Sequence, residues 1–291
     1  MPPRFERVAV IGVGLIGGSL ALAARTAGLF GHVVGVGRSL TNLEEALRRQ
    51  VIDSYTLDPQ AAVANVDLVV LSVPVRAMAP VVAQCRNALA PGALVTDVGS
   101  VKRYVLDTVE PVLPAGVRFV GAHPIAGTET SGVAGATADL FRGRRCVITP
   151  GTRCDTEAVL QVRALWEAVG MEVVEMSPDR HDSALAWVSH LPHVLAFAAT
   201  RALERHLPEA AGLAGPSFAS LTRVAASSAE TWVDIFVANR SAIARTVEDF
   251  LATLEELRHT ICQATPEELR AWLEESRGAH QRQLRASKEK S

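Results

Sequence analysis

The chemistry of this sequence is concentrated in one segment, Gly121-Ala122-His123-Pro124-Ile125-Ala126-Gly127-Thr128-Glu129-Thr130-Ser131-Gly132. A histidine and a proline lead into a glycine-rich, acidic loop directly after a short apolar run at residues 117–120 that reads as a strand. Ligands of open α/β sheets bind outside the carboxyl ends of the strands, which is where His123 is expected to stand. The stretch Thr96-Asp97-Val98-Gly99-Ser100-Val101-Lys102 follows the preceding strand and brings Ser100 to the same edge. A neutral imidazole with one nitrogen held by a hydroxyl can accept a proton with the other. Taking a proton from a substrate hydroxyl while hydride leaves the same carbon is how a nicotinamide oxidises an alcohol. His123 is the expected proton acceptor and Ser100 the group that orients it.

The redox partner is written at the start of the chain. Gly12-Val13-Gly14-Leu15-Ile16-Gly17 fits GxGxxG between a strand, Val8-Ala9-Val10-Ile11, and a helix rich in Ala and Leu. Gly12 permits the tight turn, Gly14 lets a diphosphate approach the backbone, and Gly17 lets helix and strand pack closely. The helix amino terminus offers unpaired N–H groups and the positive end of its dipole. An NAD-selective site carries an acid at the end of the second strand, ~20 residues after the loop. Here that place reads Val36-Gly37-Arg38-Ser39. With Gly37 there is no carboxylate to repel a 2′-phosphate, and Arg38 can pair with one through a charge-assisted fork, with Ser39 adding a hydroxyl. The expected cofactor is therefore NADP in preference to NAD, and the expected site also takes in Ser72 and Pro74, at the end of another strand.

Positioning these residues requires a sheet. Val/Ile-rich runs at 7–11, 32–36, 67–72, 93–96, 117–120, 145–149 and 172–175 alternate with helical patterns at 15–27, 43–49, 75–89, 102–109 and 156–169. That alternation predicts right-handed βαβ units and a mostly parallel sheet. After Ser177-Pro178 strand signals stop, and apolar residues recur at helical spacing, as in Ile243, Val247, Phe250, Leu251, Leu254, Leu257 and Ile261. The fold class is α/β, with a dinucleotide-binding domain at 1–177 and an all-α domain at 178–291. The apolar stretch 184–203, broken by His190, Pro192, His193 and Arg201, reads as a buried helix pair or kinked helix rather than a membrane span. The residues from about Gly278 are polar and expected to fray.

Composition narrows the partners. With 48% apolar and 21% charged residues the 291-residue chain suits a globular protein with a sizeable core. A net charge of -2 gives no general attraction to nucleic acid or anionic membrane, so a small-molecule substrate is expected. Four scattered cysteines, without a CxxC pair, point to neither a metal site nor a disulfide framework and suit a reducing cytoplasm.

The motifs GVGLIGGS, DVGSVK, HPIAGTE and VSHLPH, in this order, resemble the prephenate/arogenate (cyclohexadienyl) dehydrogenase family of tyrosine biosynthesis. The likeness spans Val8 to about Ala264. It implies a Rossmann-type domain followed by a helical substrate and dimerisation domain, a homodimer, and oxidative decarboxylation of a cyclohexadienyl substrate with hydride passing to NAD(P)+. It further implies that His123 accepts the hydrogen bond of the ring hydroxyl and that Ser100 lies near the nicotinamide. His193 and Ser189, in Ser189-His190-Leu191-Pro192-His193, resemble substrate-binding residues, with His190 alternatively structural. Arg223 resembles the arginine that binds a substrate carboxylate, a role suited to its planar fork. Glu129 and Trp232 resemble the pocket wall. Two other readings compete. A β-hydroxy-acid dehydrogenase of similar architecture would use a lysine on the helical domain, yet no lysine occurs between Lys102 and Lys288. A nucleotide sensor without catalysis would have no use for Ser100, His123 and Arg223 together.

Overall fold

The computed structural model describes residues 3–128, 130 and 132–288. Its sheet forms from β1 (Phe5–Ile11), β2 (Phe30–Val36), β3 (Ser54–Thr56), β4 (Leu68–Leu71), β5 (Leu94–Asp97), β6 (Arg118–Pro124), β7 (Arg145–Pro150) and β8 (Glu172–Glu175). The strand order is β3-β2-β1-β4-β5-β6-β7-β8, parallel throughout except where β7 runs antiparallel to β6. The helices of this region are α1 (Leu15–Thr26), α2 (Leu40–Arg48), α3 (Pro59–Val63), α4 (Met78–Cys85), α5 (Lys102–Val109) and α6 (Thr156–Ala168). Because strands need covering on both faces, their residues alternate between two cores. Val8 and Val10 of β1 join Leu20 of α1 and Trp166 of α6 on one side. Ala9 and Ile11 join Met78 of α4 and Val105 of α5 on the other.

The expected strands are all present. Two details differ. The three-residue β3 carries too little apolar signal, Ser-Tyr-Thr, to be seen in the sequence. The strand expected to stop at residue 120 continues through Pro124, because β7 supplies an antiparallel partner for its backbone, with His123 opposite Val147. His123 is thus fixed in a strand rather than set in the loop after it.

Beyond the sheet, α7 (Pro178–Leu185) runs through a π-helical turn, Ala186–His190, into α8 (Leu191–His206). This is the kinked helix expected at 184–203. Pro192 has no N–H, and its ring would press on the carbonyl of Val188; a widened turn relieves both problems. The helices α9 (Pro216–Thr222) and α10 (Ala229–Ala238) follow, and Trp232 and Ile235 of α10 enter the second core. The end of the sheet coincides with the change of character at Ser177, whereas compactness divides the chain into Met1–Arg240 and Ser241–Ser291. The remaining helices are α11 (Arg240–Gln263) and α12 (Pro266–Lys288). Between them Thr265 and Glu268 form a capping box: the Glu268 carboxylate accepts the Thr265 N–H at 2.8 Å, and the Thr265 hydroxyl accepts the Glu268 N–H at 3.3 Å. That cap launches a helix that extends past Gly278 to Lys288. Among the described residues, no helix is long and apolar enough to cross a membrane.

Candidate active site

The carboxyl edge of the sheet carries two adjoining cavities. One, of about 550 Å³, is lined by Gly12, Gly37, Arg38, Ser39 and Asn42 among others. The second, of about 650 Å³, is lined by Leu15, Ile16, Ser100, His123, Thr128 and Asp234 among others. Gly14, Ser72, Val73 and Pro74 belong to both. The loops after β1 and β4 meet here, where the connections leave the sheet in opposite directions.

The residues of the first cavity fit a dinucleotide. Gly12 has φ +100, and a Cβ there would lie 2.2 Å from the Ser72 carbonyl oxygen, so only glycine can make this turn. A Cβ on Gly17 would lie 2.4 Å from the Gly12 carbonyl, which gives that glycine its packing role. Gly14 faces open space and is the N-cap of α1, with no side chain bonded to the helix terminus. Uncapped N–H groups at a helix amino terminus suit a diphosphate. Ser39 caps α2 by accepting the Asn42 N–H at 3.3 Å. The Asn42 side chain in turn donates to the Val13 carbonyl at 2.7 Å and accepts from the Val133 N–H at 3.3 Å. One amide therefore ties the glycine loop to the chain that follows HPIAGTE.

The second cavity contains both His123 and Ser100. The expected hydrogen-bond partner of His123 is replaced, however. Its Nδ1 lies 2.8 Å from Nε2 of His181, not against the Ser100 hydroxyl. His181 is fully buried, and its Nδ1 lies 2.7 Å from Asp182 Oδ1. Asp182 also accepts the backbone N–H groups of Lys102 and Arg103, at 2.7 and 2.9 Å, and so closes the amino terminus of α5. The Lys102 side chain turns back into the core. Its Nζ donates to Asp97 Oδ2 and, at 2.6 Å, to the Ala122 carbonyl. Asp97 Oδ1 accepts the Ala122 N–H at 3.0 Å and Oδ2 the Gly99 N–H at 2.7 Å. Both side chains of this ion pair are completely buried. The pair clasps the residue immediately before His123.

These surroundings keep the histidines neutral. Burial, then the neighbouring His181, Lys102 and His190, hold the His123 imidazole well below its ordinary value. Burial likewise lowers His181, with Asp182 pulling the other way. Burial pushes His190 down to about 4. Burial lowers the Lys102 ammonium too, against the opposing attraction of Asp97.

Among the described residues, His193, Ser189, Trp232 and Arg223 are not part of this cavity's lining. His193 stacks on Trp232 with ring centroids 3.6 Å apart, and its Nδ1 donates to the Ser189 carbonyl at 2.9 Å. Arg223 follows α9 and is near enough for its charge to lower the His193 pKa, after burial as the main cause. His190 is buried, and its Nδ1 faces the Asn239 amide nitrogen at 3.2 Å. Glu129 lies outside the described residues. Sequence reasoning missed Asp97, Lys102, His181, Asp182 and Asn239. The adjacent His181-Asp182 pair, and the five-residue step from Asp97 to Lys102 inside DVGSVK, were the available signals.

A family model for the prephenate dehydrogenase nucleotide-binding domain matches residues 20–175, and one for the prephenate dehydrogenase dimerization domain matches residues 177–275. The chain is 35% identical over 285 residues to a cyclohexadienyl dehydrogenase of Zymomonas mobilis, covering 94% of this chain and 95% of that protein. It is 32% identical over 268 residues to a prephenate dehydrogenase of Bacillus subtilis, covering 91% of this chain and 72% of that protein. Among solved structures, the prephenate dehydrogenase of Aquifex aeolicus in complex with hydroxyphenyl propionate and NAD+ superposes with a TM-score of 0.89 at 34% identity, covering 95% of this chain and 98% of that one. The arogenate dehydrogenase of Synechocystis superposes with a TM-score of 0.82 at 30% identity, covering 95% and 99%.

The clasp makes a stability prediction. Lys102→Met leaves the Asp97 carboxylate buried without its counter-charge, which is expected to cost about 3–5 kcal/mol. Urea or thermal unfolding measures the loss; a variant as stable as the parent would show that the pair does not hold β5 and β6 together.

Proposed function

The chain belongs to the prephenate dehydrogenase family, and from that premise we propose that it oxidatively decarboxylates prephenate, arogenate or both, giving 4-hydroxyphenylpyruvate or tyrosine. The observation that carries the reading is the shared cavity, in which the His123 imidazole and the Ser100 hydroxyl border the same space as Gly14, Leu15 and Ile16 of the glycine loop. A nicotinamide held beside Gly14, Leu15 and Ile16 would supply the hydride acceptor for the ring carbon that bears the substrate hydroxyl. His123 accepts the hydrogen bond of that hydroxyl and draws on its proton while the carbon is oxidised. The ring carboxylate leaves as carbon dioxide, the electron pair of its bond completes the aromatic ring, and the phenol oxygen retains the proton shared with His123. Ser100 orients the reacting groups from the adjacent strand end.

Arg223 holds a substrate carboxylate through its planar fork, beside His193, Ser189 and Trp232. The binding helices belong to a domain at 178–291 that also forms a homodimer. Leu251, Leu254 and Ile261 of α11, exposed on the single chain, support that assembly. NADP is the preferred cofactor. Gly37 supplies no carboxylate, while the exposed Arg38 and the Ser39 hydroxyl border the first cavity where a 2′-phosphate would lie.

His123→Asn is expected to lower kcat by about 10²–10⁴-fold with KM nearly unchanged. The base must be unprotonated, and its pKa is depressed, so the acid limb of kcat/KM should fall below pH 6.5. Turnover near that of the parent would remove His123 from the chemistry. Arg223→Ala should instead act on KM, raising it roughly ten- to hundredfold for a loss of about 1.5–3 kcal/mol. A flat KM would assign the carboxylate to another residue. Replacing Gly37 with Asp and Arg38 with Ala should shift selectivity toward NAD. A Cβ at Gly37 is tolerated, because the three atoms nearest to it, all of Leu43, lie at 3.4 Å or more, an ordinary van der Waals contact. Parallel titrations with NAD+ and NADP+ measure the shift, and identical kinetics before and after would end the idea.

A further inference from the structure

We infer that His181 and Asp182 are positioning residues that fix His123 in one tautomer, with the proton on Nδ1 and Nε2 bare toward the cavity; the inference rests on the reading of His123 as the hydrogen-bond acceptor of the substrate hydroxyl. Backbone N–H groups can only donate, and those of Lys102 and Arg103 point one at each oxygen of Asp182. An ionised carboxylate only accepts. The ring nitrogen 2.7 Å from Asp182 Oδ1 must therefore carry a proton, which makes His181 Nδ1 a donor. A neutral imidazole has one N–H, so His181 Nε2 is bare and accepts from His123 Nδ1 at 2.8 Å. The single proton of His123 is then committed inward, and its Nε2 lone pair is left for a substrate hydroxyl.

The opposite arrangement is disfavoured at each step. A His181 proton on Nε2 would turn the Nδ1 lone pair against a carboxylate oxygen 2.7 Å away. A doubly protonated His181 would add charge to a fully buried ring that faces Lys102 as well as Asp97, Asp182 and His123. The relay is also braced from behind. The Asn239 side chain donates to the Asp182 carbonyl at 2.9 Å, and its amide nitrogen lies 3.2 Å from His190 Nδ1. His181 and Asp182 sit on α7, His123 on β6 and the capped backbone on α5, so three elements must be docked before the tautomer is defined.

The test uses the full chain and two substitutions. His181→Leu removes the acceptor, whereas His181→Gln keeps an oxygen able to accept from Nδ1–H. In ¹⁵N-histidine-labelled parent protein without substrate, at about pH 8, ring-nitrogen correlations should report His123 as the Nδ1–H tautomer; the His123→Asn spectrum identifies its signals. His181→Leu should move His123 toward the Nε2–H form and lower kcat by roughly 10²-fold or more, with KM for the cofactor within about twofold. His181→Gln should recover most of the activity and the parent tautomer. An Nε2–H His123 in the parent, or a folded His181→Leu protein with parental kcat, would overturn the relay. If His181→Leu does not fold, the parent spectrum alone decides. If the parent turns over neither prephenate nor arogenate, the proposed function fails, while the tautomer measurement, which needs no substrate, still decides the relay.

Discussion

The amino terminus of α5 is the constraint on which the site depends. Two networks meet at one residue, Lys102, whose side chain and backbone are used for different purposes. The side chain is withdrawn from water to bridge Asp97 on β5 and the carbonyl of Ala122 on β6. The backbone N–H is given to Asp182 on α7. Burying a charge is tolerable only when it is paired and its hydrogen bonds are met. That demand is strict in geometry, and it sets the strand ends carrying Ser100 and His123 in register with the helix carrying His181. A salt link at the surface would be too loose to do this.

Electrostatics follows from the same arrangement. Four histidines, at 123, 181, 190 and 193, share one region, and burial keeps each nearer its neutral form. Neutral imidazoles are useful to a dehydrogenase, because each can present a lone pair to a hydroxyl. Each ring also has a protein partner: His193 the Ser189 carbonyl, His181 Asp182, His123 His181, and His190 the Asn239 amide. The π turn before Pro192 belongs to this scheme, since it sets the end of α7 and the start of α8 beside the same residues.

Much of this was legible in the residues themselves. Gly12, Gly14 and Gly17 act through local backbone geometry, so a six-residue pattern between a strand and a helix suffices to recognise them. The βα alternation and the place of His123 near a sheet edge follow from periodicity of two and 3.6 residues, and the family resemblance rests on contiguous motifs. The short β3 escaped notice because its three residues carry no apolar run, and the extension of β6 because it depends on a partner strand rather than on its own composition.

By itself, the sequence determined the fold class, the glycine loop and the place of His123 near a sheet edge, since each is encoded within a few turns or a single strand. Only the tertiary structure decided what stands behind that histidine. His123 and His181 are 58 positions apart, and Lys102 and Asp182 are 80 apart. No spacing rule connects residues at such separations. Their bonds exist because α5, α7 and β6 converge on one buried point, where an unpaired charge or an unbonded ring nitrogen would be too costly to keep.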